Sequence, residues 1–99
     1  MNIYNALSRE RMERYMYRTT YDMVMELVEE KSKDLKASEE DKEFLADFFK
    51  YAIVGFILEW IENDMKEDPN EIIYRLSCVI CESIPFTLER LAFKGRGVD

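Results

Sequence analysis

Histidine is absent from this sequence of 99 residues, and glycine and proline are scarce, with three and two copies. Without histidine, acid–base chemistry near neutral pH would need a carboxylate, tyrosine or cysteine with a shifted pKa. The acidic residues cluster as they do at solvated helix ends, and none of the common catalytic or phosphate-binding motifs occurs. We therefore expect no enzyme, no catalytic residue and no cofactor.

Cysteine is nearly absent as well: Cys78 and Cys81 form a single C-x-x-C. A structural zinc site takes four ligands, and the chain has no histidine and no further cysteine to complete one. A redox pair would need a helix N-terminus to lower the thiol pKa, whereas this pair lies inside an apolar helical pattern. We predict that both cysteines pack as ordinary helix residues and hold no metal.

A long apolar run is also missing. The most apolar stretch, FFKYAIVGFILEWIEND at 48–64, is interrupted by Lys50 and ends at Glu59. A bilayer-spanning helix needs about 20 apolar residues, which this stretch does not supply. The first residues, MNIYNALSRERM, lack the apolar centre of a signal peptide. These features predict a soluble, cytoplasmic chain without membrane contact.

Basic residues are outnumbered: the chain has 14 basic and 21 acidic residues, which gives a formal net charge of −7. An acidic domain repels phosphate backbones, so we expect no nucleic-acid binding by this chain alone. The arginines between residues 9 and 18 interleave with glutamates, which is typical of ion pairs along a solvated helix face.

The residues that abound, Glu, Lys, Leu, Met and Arg, favour helix. We predict one all-α domain over residues 1–99, an antiparallel arrangement of three long helices with a short helical piece or connector at residues 2–7. Ser8 is expected to cap the first long helix, which would run from about Arg9 to about Lys36. Its apolar face combines rows of methionine, tyrosine and valine at helical spacing.

The later boundaries have stronger signals. Ser38 with three acidic residues after it predicts the start of the second helix, which would reach about Asn63 or Met65. The sequence EDPNE places Asp68 as N-cap and Pro69 at the first position of the third helix. Pro85 predicts a kink in that helix or the start of a new turn, and the helix is expected to end at Gly95.

Aromatic residues are plentiful, with six Tyr, six Phe and one Trp. Five of them would lie on the first two long helices and are candidates for a small-molecule pocket: Tyr17, Tyr21, Tyr51, Phe56 and Trp60. The alternative is that these rings simply fill the core of a small helical domain.

Residues 48–76, FFKYAIVGFILEWIENDMKEDPNEIIYRL, resemble the C-terminal domain of TetR-family transcriptional regulators. The nearest branch is the one typified by regulators of dihydroxyacetone kinase, whose pattern Y-x-x-x-G-x-x-x-x-W-[IL] falls here on Tyr51, Gly55, Trp60 and Ile61. An Asp68-Pro69-x-Glu71 helix start follows. The resemblance extends over about residues 2–84. Nothing in it matches a helix-turn-helix, so we expect the DNA-binding domain to be absent from this chain.

The resemblance implies effector or partner sensing coupled to homodimerisation through the last two long helices. The residues expected in the dimer interface are Phe48, Ala52, Gly55, Glu59, Ile72, Leu76, Val79 and Ile80. The opposite face of the second helix, with Phe49, Ile53, Phe56 and Trp60, would meet the first helix and any pocket, although the reverse assignment stays open. Two functions fit: a sensor for a small apolar effector, or a dimeric module that binds a partner protein and has no small-molecule site.

Overall fold

Three helices make up the part of the chain that the structure describes. The structure is a computed structural model and describes the backbone of residues 3–94 and the side chains of residues 7–93. In chain order the helices are α1 (Ile3–Lys31), α2 (Glu39–Glu62) and α3 (Pro69–Lys94), and no strand occurs between residues 3 and 94. The predicted all-α class with three long helices is confirmed.

The start of α2 and the start of α3 lie where the sequence predicts them. The Ser38 hydroxyl accepts a hydrogen bond from the Asp41 backbone N–H at 3.1 Å, as an N-cap does. The Asp68 carboxylate accepts one from the Asn70 N–H at 3.0 Å, and Pro69 is the first helical residue. Both caps pair backbone donors that the first helical turn leaves free.

The bounds of α1 differ from the prediction at both ends. Ser8 lies inside α1 and caps nothing, because the helix already includes Ile3 and no glycine or proline separates the two residues. The short N-terminal piece is thus continuous with α1. At the other end the helix stops at Lys31 rather than Lys36, where the Ser32 hydroxyl donates to the Glu29 carbonyl at 3.1 Å and a turn follows. The turn brings Leu35 against the core.

Helix α3 passes Pro85 as one uninterrupted helix, so this proline does not begin a new one. The kink itself stays a prediction. The predicted end at Gly95 lies outside the described residues.

The turn between α2 and α3 contains two consecutive left-handed residues. Asp64 has φ 58° and Met65 has φ 56°, and neither is glycine. The Met65 N–H donates to the Trp60 carbonyl at 2.9 Å, which closes the C-terminal end of α2. Because an L side chain is disfavoured at positive φ, this turn holds backbone strain of about 1 kcal/mol or more per residue.

One hydrophobic core joins the three helices. Its buried members are Val24 and Val28 of α1, Leu45, Ala46 and Phe49 of α2, and Ile80, Ile84 and Leu88 of α3. Helix α2 packs chiefly against α1, while α3 meets the pair less extensively. The molecule is elongated, with extents of 54 × 29 × 22 Å and a radius of gyration of 16.3 Å. A compact chain of this length would have a radius of about 13 Å, so many apolar side chains are left uncovered.

Candidate functional site

Helix α2 carries a row of apolar residues on the side opposite its core face. The row, which we call the outer row of α2, consists of Phe44, Phe48, Tyr51, Gly55 and Leu58. Phe48 is 58% exposed and Tyr51 is 60% exposed. The spacing alternates between four and three residues, which is the a/d spacing of helices that pack side by side.

Helix α3 has a matching row. The outer row of α3 runs with the same alternation of four and three through Ile72, Leu76, Val79, Ser83, Phe86, Arg90 and Phe93. Val79, Phe86 and Phe93 are each more than half exposed. Exposed apolar residues at this spacing are unusual on a soluble helix, whose outer face is normally polar. Ser83 and Arg90 interrupt the row of α3, and Leu76 is partly packed against the core.

An open groove between α2 and α3 includes part of each outer row: Phe48 of α2, and Ile72, Leu76 and Val79 of α3. The groove has a volume of about 470 Å³ and is lined mostly by apolar and aromatic side chains, with three charged residues: Phe48, Phe49, Ala52, Phe56, Glu59, Trp60, Glu67, Ile72, Arg75, Leu76, Val79 and Ile80. Seven of the eight residues expected in the dimer interface are in this set. The eighth, Gly55, lies in the outer row of α2, and a Cβ added to it would meet nothing within 4 Å.

Trp60 fixes one end of the groove. Its indole Nε1–H donates to the Glu67 carbonyl at 2.7 Å, which ties the end of α2 to the strained turn that leads into α3. The bond satisfies the only polar atom of the indole, while the ring itself lines the groove. Trp60 and Phe56 therefore face α3, and not α1 as the sequence suggested, whereas Phe49 and Ile53 do contact the core.

A second cleft lies between α1 and α2 and contains the tyrosines. Tyr17 and Tyr51 meet edge-on with ring centroids 5.6 Å apart. The Lys50 ammonium lies 4.3 Å from the Tyr51 ring centroid and 5.6 Å from that of Tyr21, and it pairs with Asp47 at 2.9 Å. The cleft measures about 430 Å³, and its lining is aromatic and charged: Arg14, Tyr17, Arg18, Tyr21, Glu43, Asp47 and Lys50.

Two pKa values are shifted in the tyrosine cleft. The hydrogen bond to Asp47 raises the pKa of Lys50, so its ammonium stays charged across the physiological range. Burial, followed by the charges of Glu43 and Asp47, raises the pKa of Tyr21. Both shifts move the pKa further from neutral pH.

The five aromatic residues predicted to bind a ligand are not gathered in one place. Tyr17, Tyr21 and Tyr51 lie at the contact between α1 and α2, whereas Phe56 and Trp60 line the groove between α2 and α3. The two sets lie on different sides of α2. Their assignment to one ligand stays a prediction.

The cysteines depart from expectation. Cys78 and Cys81 are both exposed and both free, so neither packs in the core of the protomer. No group of three or more Cys, Asp or Glu residues able to hold a metal ion occurs among the described residues.

Several members of the outer rows were not among the predicted interface residues: Phe44, Leu58, Ser83, Phe86 and Phe93. Their signal was present in the sequence as the unbroken alternation of four and three on each helix. This alternation was hard to detect because α2 and α3 are apolar on their core faces too. The two patterns together look like one continuous apolar run.

Comparison with known families identifies the class of protein that this fold belongs to. The model of the transcriptional regulator C-terminal region of the TetR type matches residues 1–81. Since the match covers most of the chain, the protein belongs to this family. Its members are transcription regulators rather than enzymes, and these domains typically dimerise and bind small-molecule effectors. No curated protein and no solved structure gives a further match.

The helices also bear on membrane insertion. None of the three described helices is long and apolar enough to cross a bilayer.

Proposed function

We propose that this chain is the homodimerisation and effector-sensing domain of a TetR-family regulator, and that it dimerises through the groove between α2 and α3. One observation supports the proposal: two rows with a/d spacing, one on α2 and one on α3, carry exposed apolar residues and contribute to the same groove. The dihydroxyacetone-kinase-regulator branch, a single regulatory domain over 1–99 and a cytoplasmic location are further parts of the proposal.

The geometry of two adjacent rows favours a second copy of the same chain as the occupant. Two helices from each copy, related by a twofold axis, would form a four-helix bundle in which each row meets its symmetry mate or the neighbouring row. The a/d spacing matches the shallow crossing angle of such bundles. Gly55 would let the backbones approach closely at the middle of α2, because no side chain of its own protomer occupies that space.

The exposed area is sufficient for such an interface. A folded monomer of this mass is expected to expose about 5,900 Å², while the chain exposes 7822 Å². The excess is larger than the roughly 800 Å² that each partner buries in a standard interface. Two copies of net charge −7 repel each other, so burial of the apolar rows has to supply the favourable free energy.

The tyrosine cleft is the better place for an effector. It lies on the other side of α2 from the groove. Tyr17 and Tyr21 line it, and Tyr51 meets the Tyr17 ring edge-on. Its charged rim favours a ring-bearing molecule with polar substituents over a wholly apolar one. A ligand wedged between α1 and α2 would bias the tilt of α2, and through α2 the packing of the dimer.

The second candidate function is the partner-protein module. An amphipathic helix of another protein would fit the same apolar groove, with anchors at i, i+4 and i+7. The groove suits a helix of another protein less well than it suits a second copy of the chain. Both helices that form the groove carry a row of exposed apolar residues, and a single bound helix would cover only the groove between them.

Sedimentation of a single-residue variant tests the dimer. Val79→Glu places a charge in the centre of the outer row of α3, where the side chain is 57% exposed and outside the core. We expect the helix content to be retained and the dimer dissociation constant to rise at least a hundredfold, as a buried unpaired charge demands. The matched control is Tyr74→Glu, which is 69% exposed on α3 but lies off the row.

The result also separates the two candidate functions. A wild-type protein that sediments as a monomer at tens of micromolar contradicts homodimerisation and favours the partner-protein module. Equal dissociation by Val79→Glu and Tyr74→Glu would contradict the placement of the interface.

A further inference from the structure

The two cysteines form an exposed pair on one side of α3. Cys78 and Cys81 are three residues apart in an unbroken helix, and both side chains are exposed and free. Residues at i and i+3 of a helix are neighbours, with Cβ atoms about 5–6 Å apart. The pair is therefore a preformed dithiol, and the packing role expected from the sequence does not account for it.

The helix spacing makes the two thiols poor partners for each other. A disulfide takes a Cβ···Cβ distance of about 3.5–4.5 Å, which is shorter than the helix provides. Each thiol can instead turn about its own Cα–Cβ bond toward a third atom placed between the two sulfurs. The geometry suits two sulfurs that share one soft atom better than it suits two sulfurs that bond directly.

The surroundings of the pair limit the kind of atom that the two thiols can bind together. Zinc in a structural site takes four protein ligands, and the described residues supply no third ligand beside the two thiols. Thiolates select soft, polarisable partners. An atom that forms three bonds and already carries one substituent of its own needs only two sulfur ligands from the protein.

We propose that Cys78 and Cys81 form a chelating site for a trivalent arsenical. With phenylarsine oxide the reaction is a condensation: the As=O oxygen leaves as water with the two thiol protons, two As–S bonds form, and the phenyl group stays on arsenic. No oxidant or reductant takes part, since arsenic remains trivalent. The product is a ring that closes through both cysteines and the helix backbone between them.

The site is independent of the proposed dimer. Successive residues of a helix are about 100° apart around its axis, so Cys81 lies on nearly the opposite side of α3 from Val79, and Cys78 lies about a quarter turn away. Neither belongs to the outer row of α3. The dithiol therefore stays accessible when the rows are covered.

Intact-mass measurement with phenylarsine oxide tests the chelate on the full chain. We expect one phenylarsenic group per chain, retained in excess 2-mercaptoethanol and removed by dithiothreitol, because only another dithiol competes with a chelate. Cys78→Ser and Cys81→Ser should each lose the adduct in 2-mercaptoethanol. The spacing control is Cys81→Ser with Ser77→Cys, which keeps two thiols on exposed positions but places them at i and i+1, where side chains do not face each other.

The outcomes are distinct from those of the dimer test. Retention by either single variant, or equal retention by the spacing control, overturns the chelating site. So does a wild-type adduct that 2-mercaptoethanol removes. A monomeric protein that still chelates would contradict the proposed dimer and leave the dithiol site intact.

Discussion

The two faces of α2 are similar in composition and opposite in environment. The inner face places Leu45, Ala46 and Phe49 in the core, with exposures of 4% or less. The outer row carries Phe48 and Tyr51, which are no less apolar in their rings and yet are more than half exposed. Hydrophobicity is therefore similar on the two faces of this helix. The inner face is packed in the core, whereas in the outer row Tyr51 meets Tyr17 of α1 and stays largely exposed.

The same contrast recurs along α3. Ile84, Leu88 and Ala92 are buried against the rest of the protomer, while Val79, Phe86 and Phe93 point away from it. A second copy of the chain, packed on the exposed row, would account for this difference between the two faces, as the proposed dimer requires.

The largest expected effect is a difference in the free energy of unfolding between two truncations on α3, one at a buried residue and one at an exposed residue two positions away. Leu88→Ala removes a side chain with 0% exposure and should lower the free energy of unfolding by about 2–5 kcal/mol. Phe86→Ala removes a larger ring that is 64% exposed in the protomer. At protein concentrations where the chain is monomeric it should cost only about 0.5 kcal/mol, as surface substitutions do.

Urea unfolding at several protein concentrations measures both variants. The cost of Phe86→Ala should grow with concentration, because dimerisation stabilises the folded state by mass action, while the cost of Leu88→Ala stays constant. A concentration-independent cost for Phe86→Ala would remove it from the interface.

A smaller effect is expected at Gly55. A Cβ added at this position meets nothing within 4 Å, and Gly55→Leu should favour the helix by nearly 1 kcal/mol, since glycine is a poor helix former. We expect folding to be unimpaired and the dimer to weaken at least tenfold, with Gly55→Ala intermediate. Circular dichroism and sedimentation separate the two effects. Unchanged dimer affinity for Gly55→Leu would mean that α2 does not approach its copy at this point.

The smallest expected change in the free energy of unfolding concerns the turn between α2 and α3, the two helices that form the groove. Met65 has a φ of 56°, where glycine has no steric cost, so Met65→Gly should raise the free energy of unfolding by about 0.5–1 kcal/mol. The neighbouring Lys66 is not among the residues with positive φ, and Lys66→Gly should destabilise the protein slightly. Thermal unfolding compares them, and stabilisation by both or by neither would argue against strain at Met65.

Local signals in the sequence were sufficient where short-range chemistry decides the structure. Ser38 and Asp68 cap α2 and α3 as predicted, because a cap depends on the residue itself and the next three along the chain. Ser8 has the same side chain and caps nothing. A serine caps a helix only where the helix begins, and the chain before Ser8 contains nothing that interrupts helix.

The sequence was less informative about which residues come together across helices. Seven of the eight residues that it predicted for a dimer interface line the groove, and it grouped Tyr17 and Tyr21 with Trp60, which lies on another side of α2. Spacing along one helix fixes which residues share a face. It does not fix which neighbouring helix that face meets.

The sequence by itself determined the all-α class, the starts of α2 and α3, and the presence of more apolar surface than one short chain can bury. The tertiary structure decided how that surface is divided. Helix α1 covers one face of α2 and the C-terminal part of α3, which leaves the two outer rows side by side along an open groove. The physical reason is that periodicity and capping are properties of a few neighbouring residues, whereas coverage depends on how three helices pack in space.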